Sequence, residues 1–307
     1  MPNVHVSTAC QSDIGLVRGN NEDAFLVTDF HSQLGDDGTK GCSRLEVGPR
    51  GVLLVVSDGM GGENAGEVAS ALVVKEVAQC LERATPEGKG DDLLKEAVAR
   101  AHSAVAIAAK HTEYSGMGAT LTAIHIKDDF AYVAEVGDSR AYLIRCGVIF
   151  PLTKDQNLAQ LMVDAGSLAA EEVGSSFMSN VLAQSMGHNS SVQPALGKLA
   201  LRDRDCLLLC SDGLTKAVTD REIVDTVLGS KTLEQACASL VNLANERGGD
   251  DNVTVVIAGI AGDLPQARIG DRPSGSYEIL ETFSPRLQSP PRGKSGPLVP
   301  AEVKVVR

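Results

Sequence analysis

Gly51-Val52-Leu53-Leu54-Val55-Val56-Ser57-Asp58-Gly59 is an unbroken apolar run that ends on a carboxylate and a glycine. Such a short, valine-rich run reads as a buried strand. The arrangement returns at Cys206-Leu207-Leu208-Leu209-Cys210-Ser211-Asp212-Gly213. A third acid, Asp251, precedes Asn252 and the strand-like Val253-Thr254-Val255-Val256-Ile257. A fourth segment, Arg18-Gly19-Asn20-Asn21-Glu22-Asp23, stands just before another β-type run. Any one of these acids, alone, is a turn former or helix cap. Together, at the ends of strands far apart in sequence, they suit an oxygen-ligand cage for hard divalent cations. Buried carboxylates at close range repel and take up protons unless something compensates them. A glycine after the acid lets the backbone approach closely, so that its carbonyl can join the cage.

Outward from these runs, 4–10 and 24–28 read as short strands, and 31–50 as a polar, Gly-rich surface loop. Helical periodicity runs over 65–84, with Ala69, Leu72, Val73, Val77 and Leu81 on one side, and again over 93–110. Strands follow at 119–126, 129–136 and 140–145, with a hairpin turn at Asp128-Asp129. Residues 155–187 change character and read as a lid of short helices. A strand at 205–210, helices near 220–228 and 232–247, and a strand at 253–260 complete the pattern. Clustered strands with helices in pairs predict an α+β fold, helices covering a mostly antiparallel double sheet. Seven of the twelve prolines lie after Gly262. That composition predicts an unstructured tail over 263–307, with Tyr277–Glu281 and Val303–Val306 as its apolar islands.

Charge and composition narrow the chemistry. The net charge is −12; seven Lys/Arg against five Asp/Glu make the last 45 residues +2, which puts −14 on the rest. Such a body repels nucleic acid and anionic membranes and tolerates cations. No run approaches the ~20 apolar residues of a membrane span, and the first residues lack the pattern of a signal peptide. Seven scattered cysteines fit a reduced, cytoplasmic compartment. Gly59-Met60-Gly61-Gly62 lacks the following Lys-Ser/Thr of a nucleotide phosphate loop.

Two Mg²⁺ or Mn²⁺ ions in such a cage share a water, ionise it and aim it at phosphorus, while an arginine holds the phosphate oxygens. Arg18, four residues before Glu22, is the natural arginine. The residues alone leave two other readings open: a metal-dependent phosphodiesterase or nuclease, and a binding module that keeps the fold but turns over poorly.

Five motifs now stand in order: Arg18-x-x-x-Glu22-Asp23, Asp58-Gly59-Met60-Gly61-Gly62, Gly137-Asp138-Ser139-Arg140, Ser211-Asp212-Gly213 and Asp251-Asn252. In order and spacing, over about 8–260, they resemble the metal-dependent type 2C protein phosphatases in their bacterial form. The resemblance implies a central antiparallel β-sandwich flanked by α-helices on both faces. It further implies a catalytic domain over 1–262, a flap at about 153–190 and a loop insertion at about 31–50. It implies hydrolysis of phosphoserine and phosphothreonine in proteins by a hydroxide bridging two metals, opposing a Ser/Thr kinase, in a monomer. Asp58 would bridge both core ions. Glu22 and the Gly59 carbonyl would complete one, Asp212 and Asp251 the other. Asp138, with Asp212, would hold a third, weaker ion. Arg18 would hold the substrate phosphate, and Asp23 and Asn252 would orient ligands from behind. Met60 stands where eukaryotic relatives carry a histidine. The flap also departs from the family pattern: Gln156-Asn157 follows Asp155, and Ser176–Asn180 and Gln184 replace its usual histidine and arginines.

Overall fold

The computed structural model describes residues 3–30, 40–61, 65–188, 190–271 and 273–285. Gly62, residues 31–39 of the expected loop and 286–307 of the expected tail lie outside the described residues. In chain order, β1 (Val4–Asp13), β2 (Asp23–Thr28), β3 (Lys40–Glu46) and β4 (Val52–Met60) precede the helices α1 (Ala65–Arg83) and α2 (Gly90–Ala108). Then come β5 (Gly118–Ala119), β6 (Leu121–Lys127), β7 (Phe130–Val136), β8 (Arg140–Arg145) and β9 (Val148–Pro151). A flap follows, with α3 (Leu158–Asp164) and 3₁₀ turns at Ala170–Ser175 and Phe177–Asn180. The chain continues through β10 (Ala195–Ala200), β11 (Cys206–Cys210), α4 (Asp212–Thr215), α5 (Asp220–Gly229), α6 (Leu233–Glu246), β12 (Val253–Gly262) and β13 (Tyr277–Glu281).

One sheet has the order β3-β1-β12-β11-β8-β9 and the other β13-β10-β7-β6-β4-β2, with β5 appended to β4. Every strand pairing in these sheets is antiparallel. The apolar runs of β4, β11 and β12 are continuous because both faces of each strand are buried. Val52, Leu54 and Val56 pack between the sheets with Leu207, Leu209 and Val256. Leu53 and Val55 point the other way, against Val73 and Val77 of α1 and Leu94 and Val98 of α2. Leu208, Val255 and Ile257 face Ile223 of α5 and Leu240 and Val241 of α6. Period-two alternation thus feeds three apolar layers and gives the order helices, sheet, sheet, helices.

The outer helices start on local signals. Thr219 and Glu222 form a reciprocal capping box at the start of α5, and Thr232 accepts from the Gln235 amide at the start of α6. Cys206 and Cys210 share the face of β11 that packs toward α6; both are free thiols, pushed up to about 12 by burial. Among the described residues, no helix is long and apolar enough to cross a membrane.

The structure departs from the sequence reading at sheet edges. Lys40–Glu46, expected within a loop, pairs with β1 as an edge strand. Tyr277–Glu281, expected in an unstructured tail, pairs with β10 at the edge of the other sheet. Tyr277 lies over Gly197, where a Cβ would come within 2.1 Å of its hydroxyl, and that hydroxyl donates to the Leu152 carbonyl at 2.5 Å. Edge strands carry charges and a solvated face, so their sequences look like loops.

Candidate active site

The strand ends gather the predicted acids around one cleft of about 570 Å³. Arg18, Glu22, Asp58, Gly59, Asp138, Asp212, Asp251 and Asn252 all line it. Asp58 lies near the end of β4 and faces Asp23 across the β2–β4 ladder. Asp212 opens α4 directly after β11, and Asp251 and Asn252 lead into β12. Asp138 sits in the turn between β7 and β8. Of the nine expected site residues, only Asp23 is held back from the cleft wall: its Oδ2 accepts from Ser211 Oγ and Thr254 Oγ1, each at 2.7 Å.

Glycines and one amide lock the segments together. The Gly59 amide donates to the Glu22 carbonyl at 3.1 Å, and a Cβ at Gly59 would come within 2.1 Å of the Gly66 carbonyl. The N-terminus of α1 can therefore close over Glu22, whose carboxylate accepts from the Gly66 amide. Asn252 Oδ1 accepts from the Glu22 amide at 2.8 Å, while its Nδ2 donates to the Ile14 and Asn20 carbonyls at 2.9 and 3.0 Å. Asn252 thus fixes the backbone of the loop that carries Arg18 and Glu22. Thr120 performs a similar service for Asp58: its Oγ1 accepts from the Asp58 amide at 2.9 Å, and its own amide donates to the Asp58 carbonyl at 2.8 Å.

Electrostatics make this end of the sandwich a cation site. Burial, reinforced by Asp23, Asp212, Asp251 and Asp138, holds the Asp58 carboxyl well above the usual carboxylate range. Burial, with Asp212 and Asp155, pushes Asp138 up to about 8. Burial also lifts Asp23 to about 7, against the two hydroxyl hydrogen bonds. Glu22 and Asp212 are raised as well, again chiefly by burial. Asp212 Oδ1 and Asp23 Oδ1 are buried with no hydrogen-bond partner among the described residues. Orphaned oxygens among mutually repelling carboxylates fit divalent cations.

Sequence reasoning missed Lys216. Its Nζ lies 2.6 Å from Asp212 Oδ2 and 3.1 Å from Asp251 Oδ2, one helical turn after Asp212. Arg18 Nη2 reaches Asp251 Oδ1 at 2.9 Å. The acids line one cleft, but among the described residues no three His, Cys, Asp or Glu side chains are placed, as they stand, to hold a metal ion. Instead, the ammonium of Lys216 and the guanidinium of Arg18 hold the acids. The i,i+4 spacing of Asp212 and Lys216 was a readable signal, although it usually marks a solvated helix face.

Of the unusual flap residues, Gln156, Asn157 and Gln184 make structural hydrogen bonds. Gln156 is 2 % exposed. Its Oε1 accepts from the Gly137 amide at 2.9 Å and from Gln184 Nε2 at 2.7 Å, and its Nε2 donates to the Glu135 carbonyl at 3.1 Å. Asn157 caps α3 by accepting from the Gln160 amide. Asp155 takes a bidentate pair from Arg140, at 2.7 and 2.8 Å. From the flap, Asn180 and Leu182 reach the cleft.

A helix-flanked antiparallel sandwich with acids converging at one end defines a class of phosphate-ester hydrolases, and comparison with known proteins gives the family. Residues 33–253 match the model described as Protein phosphatase 2C, and the chain belongs to that family. Protein phosphatase PhpP of Streptococcus pneumoniae is 32% identical over 248 residues, covering 80% of this chain and 94% of PhpP. Serine/threonine protein phosphatase PstP of Mycobacterium tuberculosis is 37% identical over 254 residues, 82% of this chain but 44% of PstP. A crystal structure of the catalytic domain of PstP, in complex with two manganese ions, matches with a TM-score of 0.69 at 34% identity. It covers 84% of this chain and 99% of that one. The chain is a protein-serine/threonine phosphatase.

Proposed function

We propose that this phosphatase is metal-dependent, and that two Mn²⁺ or Mg²⁺ ions occupy the acid-lined cleft. Asp58 would hold both ions, Glu22 and the Gly59 carbonyl one of them, Asp212 and Asp251 the other. Asp138, with Asp212, would take a third, weaker ion. Ions held there would supply a nucleophile at neutral pH and would polarise the phosphoryl oxygens. The chain's own residues do the rest. Arg18, half-exposed at the cleft mouth, leaves Asp251 to clamp the substrate phosphate. Lys216, which pairs with Asp212 and Asp251, would give up those carboxylates where cations bind. Asn252 and Thr120 keep the loops in register, and Asp23 steadies Ser211 and Thr254 behind the ligands. The substrates are phosphoserine and phosphothreonine in proteins, and the enzyme opposes a Ser/Thr kinase as a cytoplasmic monomer.

The observation that carries this reading is that Asp58, Asp138, Asp212 and Asp251, from four separate chain segments, line one cleft, with Asp212 Oδ1 buried and unpartnered among the described residues. It is tested by hydrolysis of a phosphothreonine peptide with Mn²⁺, with and without chelator. Asp212→Asn keeps the side chain's shape and removes its charge. Partners one layer behind a metal ligand already cost 10–100-fold, so turnover falls by at least about a hundredfold. A near-wild-type rate in Asp212→Asn, or full activity in chelator, overturns the ligand assignment. Faster cleavage of a phosphodiester than of the peptide would replace the substrate class.

A further inference from the structure

A second cavity, of about 390 Å³, lies between the flap and the β13 edge of the sandwich. Val133, Leu152, Leu161, Leu196, Tyr277 and Ile279 give it apolar walls. Among them is one buried acid, Glu135 on β7, which is 1 % exposed. Thr122 Oγ1 donates to its Oε2 at 2.8 Å, but Oε1 is buried with no hydrogen-bond partner among the described residues. Burial holds this carboxyl well above its usual range; Thr122 opposes the shift, and Asp155 and Asp138 add to it. Glu135 does not line the catalytic cleft. A buried acid with an unused oxygen is costly to keep, and here that oxygen belongs to a residue of the cavity wall.

The remaining acids of the cavity wall are already paired: Asp155 with Arg140, Asp164 with Lys154 and Glu281 with Lys95. Glu135 has no such ion pair among the described residues. Its volume falls in the range of small-molecule sites, which combine apolar walls with a few fixed polar groups. We propose that this cavity binds a small amphiphilic amine: an ammonium group on an apolar body about the size of a benzyl group. The Glu135 carboxyl turns its buried Oε1 toward the cavity on binding and accepts from the ammonium, and Glu135 releases its proton to solvent, so that an ion pair replaces an unsatisfied acid. The apolar body packs between Leu161, Leu196 and Tyr277. Leu161 belongs to α3 of the flap, and Gln156, also in the wall, accepts from the amide of Gly137 beside Asp138. An occupant therefore ties the flap to the sandwich next to the catalytic cleft.

The test is a ¹H–¹⁵N NMR titration of the whole chain with benzylamine, benzyl alcohol and phenylacetate at 0.15 M salt. Benzylamine shifts the amides of Glu135, Leu161, Leu196 and Ile279, and binds at least tenfold more tightly than the alcohol; phenylacetate does not saturate. Glu135→Gln keeps the alcohol's affinity and abolishes the amine's advantage. Ile279→Arg, at a rim position that is 65 % exposed, weakens the amine without disturbing the interior, so the question is answered even if Glu135→Gln does not fold. Equal affinity for amine and alcohol overturns the proposal. So do shifts confined to Asp58, Asp212 and Asp251, or unchanged amine binding in both variants. Binding is read without turnover, so failure here leaves the phosphatase assignment standing, and failure there leaves this site standing.

Discussion

At the scale of the residue, Lys216 shows how the cleft is held together by cations of its own. Its ammonium bridges Asp212 and Asp251, two carboxylates that repel each other. Lys216→Met removes that bridge and lowers stability in metal-free buffer by about 1 kcal/mol, the scale of a partly exposed ion pair. Saturating Mn²⁺ closes the deficit, because the added cations serve the same carboxylates; a thermal-melt deficit that Mn²⁺ leaves unchanged sinks the exchange of Lys216 for metal. His125 makes a different residue-scale case. Its Nε2 lies 2.8 Å from the Arg50 carbonyl, its Nδ1 is buried without a partner among the described residues, and burial lowers its pKa to about 4. The unfolded chain binds this proton near pH 6.5 and the folded chain only near 4. Stability therefore falls as pH drops through that window, by up to about 3 kcal/mol from this group. His125→Gln keeps an N–H donor and cannot titrate, so its stability loss between pH 7 and 4.5 in urea melts is smaller than wild type; equal losses refute the assignment. The acids of the cleft were legible because each follows or precedes an apolar run. His125 was not, because a lone histidine in a strand acquires meaning only from neighbours distant in sequence; Lys216 offered only its spacing from Asp212, which by itself marks a solvated helix face.

At the scale of the element, the strands buried on both faces could be read, while several outer ones could not. β4, β11 and β12 are buried on both faces, so burial writes itself into an unbroken apolar run. β3 and β13 lie at sheet edges and carry charges among their apolar residues, and β10, beside β13, is broken by Gly197 and Lys198. The flap was legible as a change of character, but the pairing of Gln156 with Gln184 was not, since only the folded chain brings the two amides together. β13 has an energetic role that its composition hides. Arg145 and Asp205 form a bidentate pair that is 1% and 0% exposed, and Ser276 Oγ, just before β13, accepts from Arg145 Nη1 at 2.8 Å. A chain ending at Gly262 loses that acceptor, the Tyr277–Leu152 hydrogen bond and the ladder to β10. Leaving a buried charged donor short of a partner costs about 1–3 kcal/mol, and at 2–4 °C per kcal/mol the melting temperature falls by roughly 5–10 °C relative to a chain ending at Pro285. Identical melts for the two chains mean that β13 adds nothing to the fold.

At the scale of the whole molecule, the charge of −12 is not spread evenly in its consequences. Part of it is concentrated where three apolar layers end and the acids of distant strands meet, and there the fold works against itself until cations arrive. Asp58 carries most of this tension: burial and four neighbouring acids hold its carboxyl well above the usual range. A carboxyl raised in the folded state adds stability in its protonated form, and that contribution disappears as pH rises. At pH 8, without metal, the ionised form is penalised, and Asp58→Asn removes the penalty. The variant therefore melts higher than wild type in chelator. With Mn²⁺ at about a hundred times its dissociation constant, wild type gains about 2.7 kcal/mol, or roughly 5–10 °C. Asp58→Asn gains little, because the residue proposed to hold both ions has lost its charge. The order of the two melting temperatures consequently reverses between chelator and Mn²⁺, which neither a purely structural aspartate nor a purely destabilising substitution produces. Such a reversal is the expected signature of a site that trades stability for function. If Asp58→Asn melts below wild type in chelator, or if Mn²⁺ raises both proteins equally, the cleft is not organised around cations.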